Sequence, residues 1–194
     1  MATKRYGMVI DLRKCVGCEG CTVACKSENG VPLGHFRTWV QKHEKGIYPN
    51  ISLQFVPKLC NHCTDPACVS VCPTGASFQR SEDGIVLINQ DDCIGCKYCM
   101  VSCPYGVRYL DESKGVVDKC TWCVHRVEQG VVPSCVNTCI TGARIFGDLN
   151  DPGSDISKFI ATHPVQQLKP EAGLGPNVYY VALDSDFNGK LGNR

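Results

Sequence analysis

Short apolar runs broken by polar turns recur along this chain. The segments MVIDLRKC, LQFVPKLC, IVLINQDDC and GVVDKC are rich in Val, Ile and Leu and stop at Asp, Asn or Pro. That pattern predicts four short strands, ending at Cys15, Cys60, Cys93 and Cys120, rather than helices. A helix is expected through Ile156, Phe159 and Ile160 with Asp155 as its cap, and a strand over Val178–Leu183. Residues 31–57 read as an insertion, either a hairpin or an irregular excursion, and the polar end DFNGKLGNR reads as loose. No run approaches the roughly 18 to 20 apolar residues that span a bilayer. The start, MATKRYGMVIDLRK, has neither an apolar signal core nor a twin arginine, so no export signal is expected.

Composition changes the picture at one point. Of 194 residues 16 are cysteine, while Trp (2), Phe (6) and Met (3) are sparse, so apolar burial alone is a thin basis for the fold. At 43% hydrophobic and 20% charged, the chain is neither a disordered tail nor a membrane protein. A net charge of +1 offers no basic excess for nucleic acid or anionic lipid. So many cysteines without a signal point to metal rather than to secreted disulfides.

The cysteines fall into four groups of four. Cys15, Cys18, Cys21 and Cys25 are spaced C-x2-C-x2-C-x3-C, and Cys93, Cys96, Cys99 and Cys103 repeat that spacing. Cys60, Cys63, Cys68 and Cys72 follow C-x2-C-x4-C-x3-C, and Cys120, Cys123, Cys135 and Cys139 follow C-x2-C-x11-C-x3-C. The first and third are two-cluster ferredoxin runs: three thiolates wrap one cubane, and the fourth reaches its neighbour. A zinc ribbon is a separate reading of the fourth group taken alone, but zinc does not require the C-x2-C-x2-C-x3-C run.

Ligand exchange then shapes the topology. The second and third groups lie close together and pair, which leaves the first to pair with the fourth. The expected fold is α+β, with two ferredoxin-like units, one inserted in the other. Residues 1–30 and 105–147 form the first, 31–57 the insertion, 58–104 the second, and 148–194 a C-terminal extension. Cys72-Pro-Thr-Gly-Ala76 matching Cys139-Ile-Thr-Gly-Ala143 marks the duplication. Gly17, Gly20, Gly95 and Gly106 sit where backbone approaches a cluster, or where a turn needs glycine.

The motifs RYGMVIDLRKCVGC, CNHCTDPACVSVCPTGAS, CIGCKYCMVSCPYGVRYL, DKCTWCVHR and TCITGARIFGDLNDP resemble the iron–sulfur electron-transfer subunits of molybdopterin oxidoreductase complexes over nearly the whole chain. Polysulfide, thiosulfate, tetrathionate, dimethyl sulfoxide and respiratory arsenate reductases have such a subunit, and the tail LKPEAGLGPNVYYVAL looks closest to the polysulfide/thiosulfate branch. The resemblance implies four [4Fe–4S] clusters, held by Cys15, Cys18, Cys21 and Cys139; by Cys25, Cys120, Cys123 and Cys135; by Cys60, Cys63, Cys68 and Cys103; and by Cys72, Cys93, Cys96 and Cys99. Relatives lacking the cysteine at the place of Cys96 hold a three-iron cluster there. The resemblance further implies a molybdopterin catalytic partner at the first unit and a quinol-binding integral-membrane partner at the inserted one. Co-export with the catalytic partner would place the chain outside the inner membrane; a cytoplasmic site is the alternative. So is service to a soluble molybdenum enzyme, a formate dehydrogenase or a hydrogenase.

With every ligand position a cysteine, no iron would be open to substrate, and no catalytic triad or phosphate loop appears. The expectation is a wire, not a catalyst. Counting each oxidised core as +2, the loaded chain carries about −7. Lys97, Arg108, Arg126 and Arg144 are candidates to offset that charge, or else to lie on a solvated face. His62 and His125 are candidates to bond cluster sulfur, with a structural role as the alternative. Trp122, Tyr98, Tyr105 and Tyr109 are assigned to packing over the clusters.

Overall fold

The computed structural model describes residues 4–185 and 187. In chain order its elements are β1 (Tyr6–Asp11), α1 (Gly20–Asn29), β2 (Thr38–Ile47), β3 (Asn50–Leu59), α2 (Ala67–Ser70), β4 (Ser77–Gln79), β5 (Val86–Ile88), α3 (Tyr98–Val101), β6 (Arg108–Asp111), β7 (Val116–Lys119), α4 (Val124–Val127), α5 (Ser134–Asn137), β8 (Arg144–Asp148), α6 (Asp155–Thr162), a 3-10 turn (Pro170–Ala172) and β9 (Val178–Val181). The mixture of short strands and helices matches the expected α+β class.

One three-stranded sheet organises the ends of the chain, in the order β8-β1-β9. β1 pairs antiparallel with β8 (Val9 opposite Ile145) and parallel with β9 (Val9 opposite Tyr179). As the central strand it is covered on both faces, which is why GMVID reads as an unbroken apolar run rather than an alternating one. Met8 and Ile10 enter the main core with Val56, Leu59, Trp122 and Tyr180, while Val9 packs with Ile156 and Val181 beneath α6.

The other strands form hairpins: β2-β3, β4-β5 and β6-β7. Residues 31–57 therefore resolve mostly as a hairpin, with Thr38 opposite Leu59 and Ile47 opposite Asn50. Each strand predicted ahead of a cysteine group is present, as β1, β3, β5 and β7, and the strand predicted at 178–183 is β9. The helix cap differs from expectation. Ser154, not Asp155, is the N-cap, its hydroxyl accepting from the Ser157 N–H at 3.2 Å. Asp155 is the first helical residue, where its charge favours the helix dipole instead. The polar end at 186–194 falls almost entirely outside the described residues.

Candidate metal centres

Every x3 pair of cysteines lies on, or just past, one helical turn. Cys21 and Cys25 are both on α1, and α2, α3 and α5 carry Cys68, Cys99 and Cys135 with Cys72, Cys103 and Cys139 just beyond. Residues i and i+4 share a face and rise about 6 Å along the axis. Each turn therefore presents its two thiols to two neighbouring cavities.

Four cavities result. The first, about 350 Å³, is lined by Cys15, Cys18, Cys21 and Cys139. The second, about 290 Å³, is lined by Cys25, Cys120, Cys123 and Cys135. The third, about 340 Å³, is lined by Cys60, Cys63, Cys68 and Cys103, and the fourth, about 320 Å³, by Cys72, Cys93, Cys96 and Cys99. They run in a row, because Cys21 is an electrostatic neighbour of Cys135 and Cys60 of Cys120. The two middle cavities lie deep, among buried Cys25, Cys120, Cys135, Cys60 and Cys63, whereas the end cavities carry exposed Cys18 and Cys96.

The donor set fits an iron–sulfur cubane. All sixteen cysteines are free thiols. Among the described residues no three His, Cys, Asp or Glu side chains converge as a single metal ion such as zinc would need. The cavity walls also hold buried donors without partners, namely Tyr105 Oη and Arg108 Nη1 in the third and Trp122 Nε1 in the second. Such groups are costly in a dry wall and would be satisfied by the sulfur of a bound cluster.

Backbone and side-chain donors already reach the sulfurs. Ser77 N–H lies 3.3 Å from Cys72 Sγ, Val117 N–H 3.5 Å from Cys93 Sγ and Trp122 N–H 3.4 Å from Cys120 Sγ. The Asn29 amide is 3.7 Å from both Cys25 Sγ and Cys123 Sγ. Asn29 is held in turn by Arg37, which grips Asp118 with two nitrogens, and Tyr109 donates to Asp118 at 2.6 Å. Burial pushes the Cys25 and Cys63 thiols up to about 12 and raises Cys120 and Cys135 as well. At Cys72 and Cys139 burial acts the same way but is outweighed. Ser77 N–H and the Thr74 hydroxyl lower the first, and the Thr141 hydroxyl and Ala143 N–H lower the second.

The accessory residues divide. Arg108 Nη2 donates to Cys68 Sγ at 2.7 Å, and Arg144 Nη1 lies 3.7 Å from Cys135 Sγ, so both face the sulfurs. Lys97 lines the fourth cavity from its exposed rim. Arg126 does not face a sulfur; it pairs with Glu28 at 3.0 Å beside His125, which bonds the same carboxylate at 2.8 Å. His62 also has the structural role: its Nδ1 accepts from Val86 N–H at 3.1 Å, and its ring stacks on Trp122. Tyr105 and Tyr109 are buried packing residues, and Tyr98 is exposed. Gly17 and Gly95 both have positive φ, and a Cβ at Gly95 would lie 2.4 Å from the Gly115 carbonyl oxygen. Sequence reading missed Lys119, Asn29 and Arg37, which carry no spacing signal.

Two profiles described as 4Fe-4S dicluster domain match the chain, one over residues 51–149 and one over 14–76. The chain belongs to the 4Fe-4S dicluster family of reductase iron–sulfur subunits. Two such domains give four clusters for sixteen cysteines. It is 47% identical to a tetrathionate reductase subunit of Salmonella typhimurium, over 94% of this chain and 74% of that protein. Identity is 41% to the arsenate respiratory reductase iron–sulfur subunit of a Shewanella species, over 91% and 96%, and 44% to a sulfite dehydrogenase subunit of Allochromatium vinosum, over 91% and 82%. These relatives are subunits of complexes, not catalysts alone, and this family member is likewise an electron carrier within an oxidoreductase complex.

Proposed function

We propose that the chain relays electrons through four [4Fe–4S] clusters between a quinol-linked membrane subunit and a molybdopterin subunit that reduces a terminal acceptor. The observation that carries this reading is the row of four cysteine-lined cavities, deep in the middle and open to the surface at both ends. The ligand quartets are the four lining sets. By the family pattern, the first two belong to one ferredoxin-like unit (1–30 and 105–147) and the last two to a second unit (58–104) inserted within it. When bound, each cluster supplies one-electron redox chemistry at a potential that the surrounding hydrogen bonds and charges set. The protein's part is to fix the thiols, exclude water from the middle cavities and place N–H donors on sulfur.

Both ends of the row carry apolar rims suited to docking. Val16, Val23 and Ile140 are exposed beside the first cavity; Ile94, Tyr98 and Val101 are exposed beside the fourth. Equivalent places hold Glu19 at the first end and Lys97 at the fourth, so the two rims differ in charge. The first end is assigned to the molybdopterin subunit and the fourth to the membrane anchor. No helix among the described residues is long and apolar enough to cross a membrane, which fits a peripheral subunit held by partners. We place it on the extracytoplasmic face by co-export with the catalytic subunit. The acceptor class is polysulfide- or thiosulfate-like, with tetrathionate, arsenate and sulfoxide in the same range.

Anaerobically isolated chain should contain about sixteen iron atoms, four per cubane. Within the complex, Cys96→Ala should abolish quinol-driven turnover. A substantially lower iron content in the native chain, or full quinol-linked turnover with the fourth cluster demonstrably missing, would overturn the relay.

A further inference from the structure

Three buried cations lie at the junctions of the row, and among the described residues no ion pair joins any of them to a carboxylate; a fourth, Lys58, sits over the Trp39 ring and lines none of the four cavities. Lys119 is fully buried, and Arg108 and Arg144 are nearly so. Burying a charge without a partner is strongly unfavourable, so the compensating negative charge must come from elsewhere. Cysteine sulfurs are the anion-forming groups that surround all three: Cys68, Cys60 and Cys99 at Arg108, Cys60, Cys120 and Cys68 at Lys119, and Cys135 and Cys21 at Arg144.

Their positions follow a rule. Arg144 lines the first cavity, and its Nη1 lies 3.7 Å from Cys135 Sγ of the second; Nη2 is anchored on Thr38 Oγ1 at 3.1 Å. Arg108 lines the third cavity, donates to Cys68 Sγ at 2.7 Å and is an electrostatic neighbour of Cys99 of the fourth; Ser77 Oγ holds it at 3.0 Å. Lys119 donates to the carbonyls of Cys120, at 2.7 Å, and of Val86, so it joins the second quartet to the wall of the third cavity. Each cation thus sits at one of the three junctions. The two arginines are five residues past the last cysteine of their groups, in Cys103-Pro-Tyr-Gly-Val-Arg108 and Cys139-Ile-Thr-Gly-Ala-Arg144. Lys119 has no such twin, since the residue before Cys60 is Leu59: the boundary between the units occurs once and takes one cation.

We propose that Arg144, Lys119 and Arg108 form a row of fixed positive charges interleaved with the four clusters, each raising the potentials of the two clusters it separates. The inference rests on the quartets assigned above. An electron arriving at a cubane adds one negative charge and no proton. A cation between two cubanes stabilises that charge on either side, so it lifts neighbouring potentials together and keeps the step between them small. These are positioning residues, not ligands.

The test is redox titration of the full chain, followed by electron paramagnetic resonance, with iron counted in every sample. Arg108→Met and Arg144→Met should each lower two of the four potentials, and the two pairs should not overlap. Lys119→Met should lower one member of each pair. Each shift should amount to at least a tenfold change in the one-electron equilibrium, 59 mV. Arg108→Lys and Arg144→Lys, which keep the charge, should restore most of it. Where methionine expels a cluster, the glutamine variant is read in its place. Four unmoved potentials at full iron content, or a uniform fall of all four, would overturn the cation row while leaving the relay intact. A shortfall of iron in the unmodified chain would instead overturn the relay itself.

Discussion

His62 and Trp122 stack on each other with ring centroids 4.0 Å apart, and each is the third residue of a Cys-x2-Cys turn, Cys60-Asn-His-Cys63 and Cys120-Thr-Trp-Cys123. Both adopt left-handed backbone, at φ 41° and 52°. The equivalent turns of the second and fourth groups therefore meet face to face through their equivalent side chains. Phe146 closes the stack, edge-on to Trp122 with ring centroids 5.3 Å apart.

Removing the indole should open a void at this meeting point. Trp122→Ala is expected to lower stability by about 3–5 kcal/mol, the range for a fully buried large aromatic. Thermal unfolding under anaerobic conditions measures it, and clusters should be released in the same transition. A change below about 1 kcal/mol would mean that the stack does not hold the two turns together.

Asn29 offers a finer perturbation. The sulfurs its amide reaches, Cys25 and Cys123, both belong to the second quartet. Asn29→Ala should lower one of the four potentials and leave iron content unchanged, because hydrogen bonds to sulfur raise the potential of the cluster that they touch. Movement of two or more potentials would contradict this selectivity.

Proton release should accompany loading. Cys25 and Cys63 stand near 12 in the metal-free chain, against roughly 8.5 for an exposed thiol, so both are protonated at neutral pH. Ligation needs thiolates, and loading with iron and sulfide should therefore release protons and become more favourable as pH rises. For the metal-free fold the sign is opposite. Between about pH 8.5 and 12 the folded chain holds more protons at these sites than the unfolded one, so its stability falls as pH rises. Calorimetry in buffers of different ionisation enthalpy counts the protons; a loading equilibrium that does not change with pH would refute the assignment.

Ser154→Ala should cost about 1 kcal/mol through loss of the α6 cap and leave all four potentials in place, because α6 packs on the side of the sheet away from the cysteines. A shifted potential would show that α6 communicates with the row.

Much of the local structure is legible in the sequence because the cysteines punctuate it. Each group must follow a chain that stops abruptly, so short apolar runs ending in Asp, Asn or Pro read directly as β1, β3, β5 and β7. The hairpin over 38–59 is less legible because its outer half is exposed: Ile47, Ile51 and Leu53 face solvent, so the usual alternation of buried and exposed positions is lost. Charged side chains are least legible. Arg126 and Arg108 look alike in sequence, yet one meets Glu28 and the other a thiol, since only tertiary packing brings the carboxylate near. Lys119 reads as an ordinary polar end to a strand and is in fact completely buried.

The helical turns that give one thiol to each of two cavities also impose an order on biogenesis. The third and fourth cavities need no cysteine beyond Cys103. The second waits for Cys135 and the first for Cys139, more than a hundred residues after Cys15 has emerged from the ribosome. A nascent chain can thus complete its third and fourth quartets while Cys15, Cys18 and Cys21 still wait for Cys139, so the loop made first is the last to be filled.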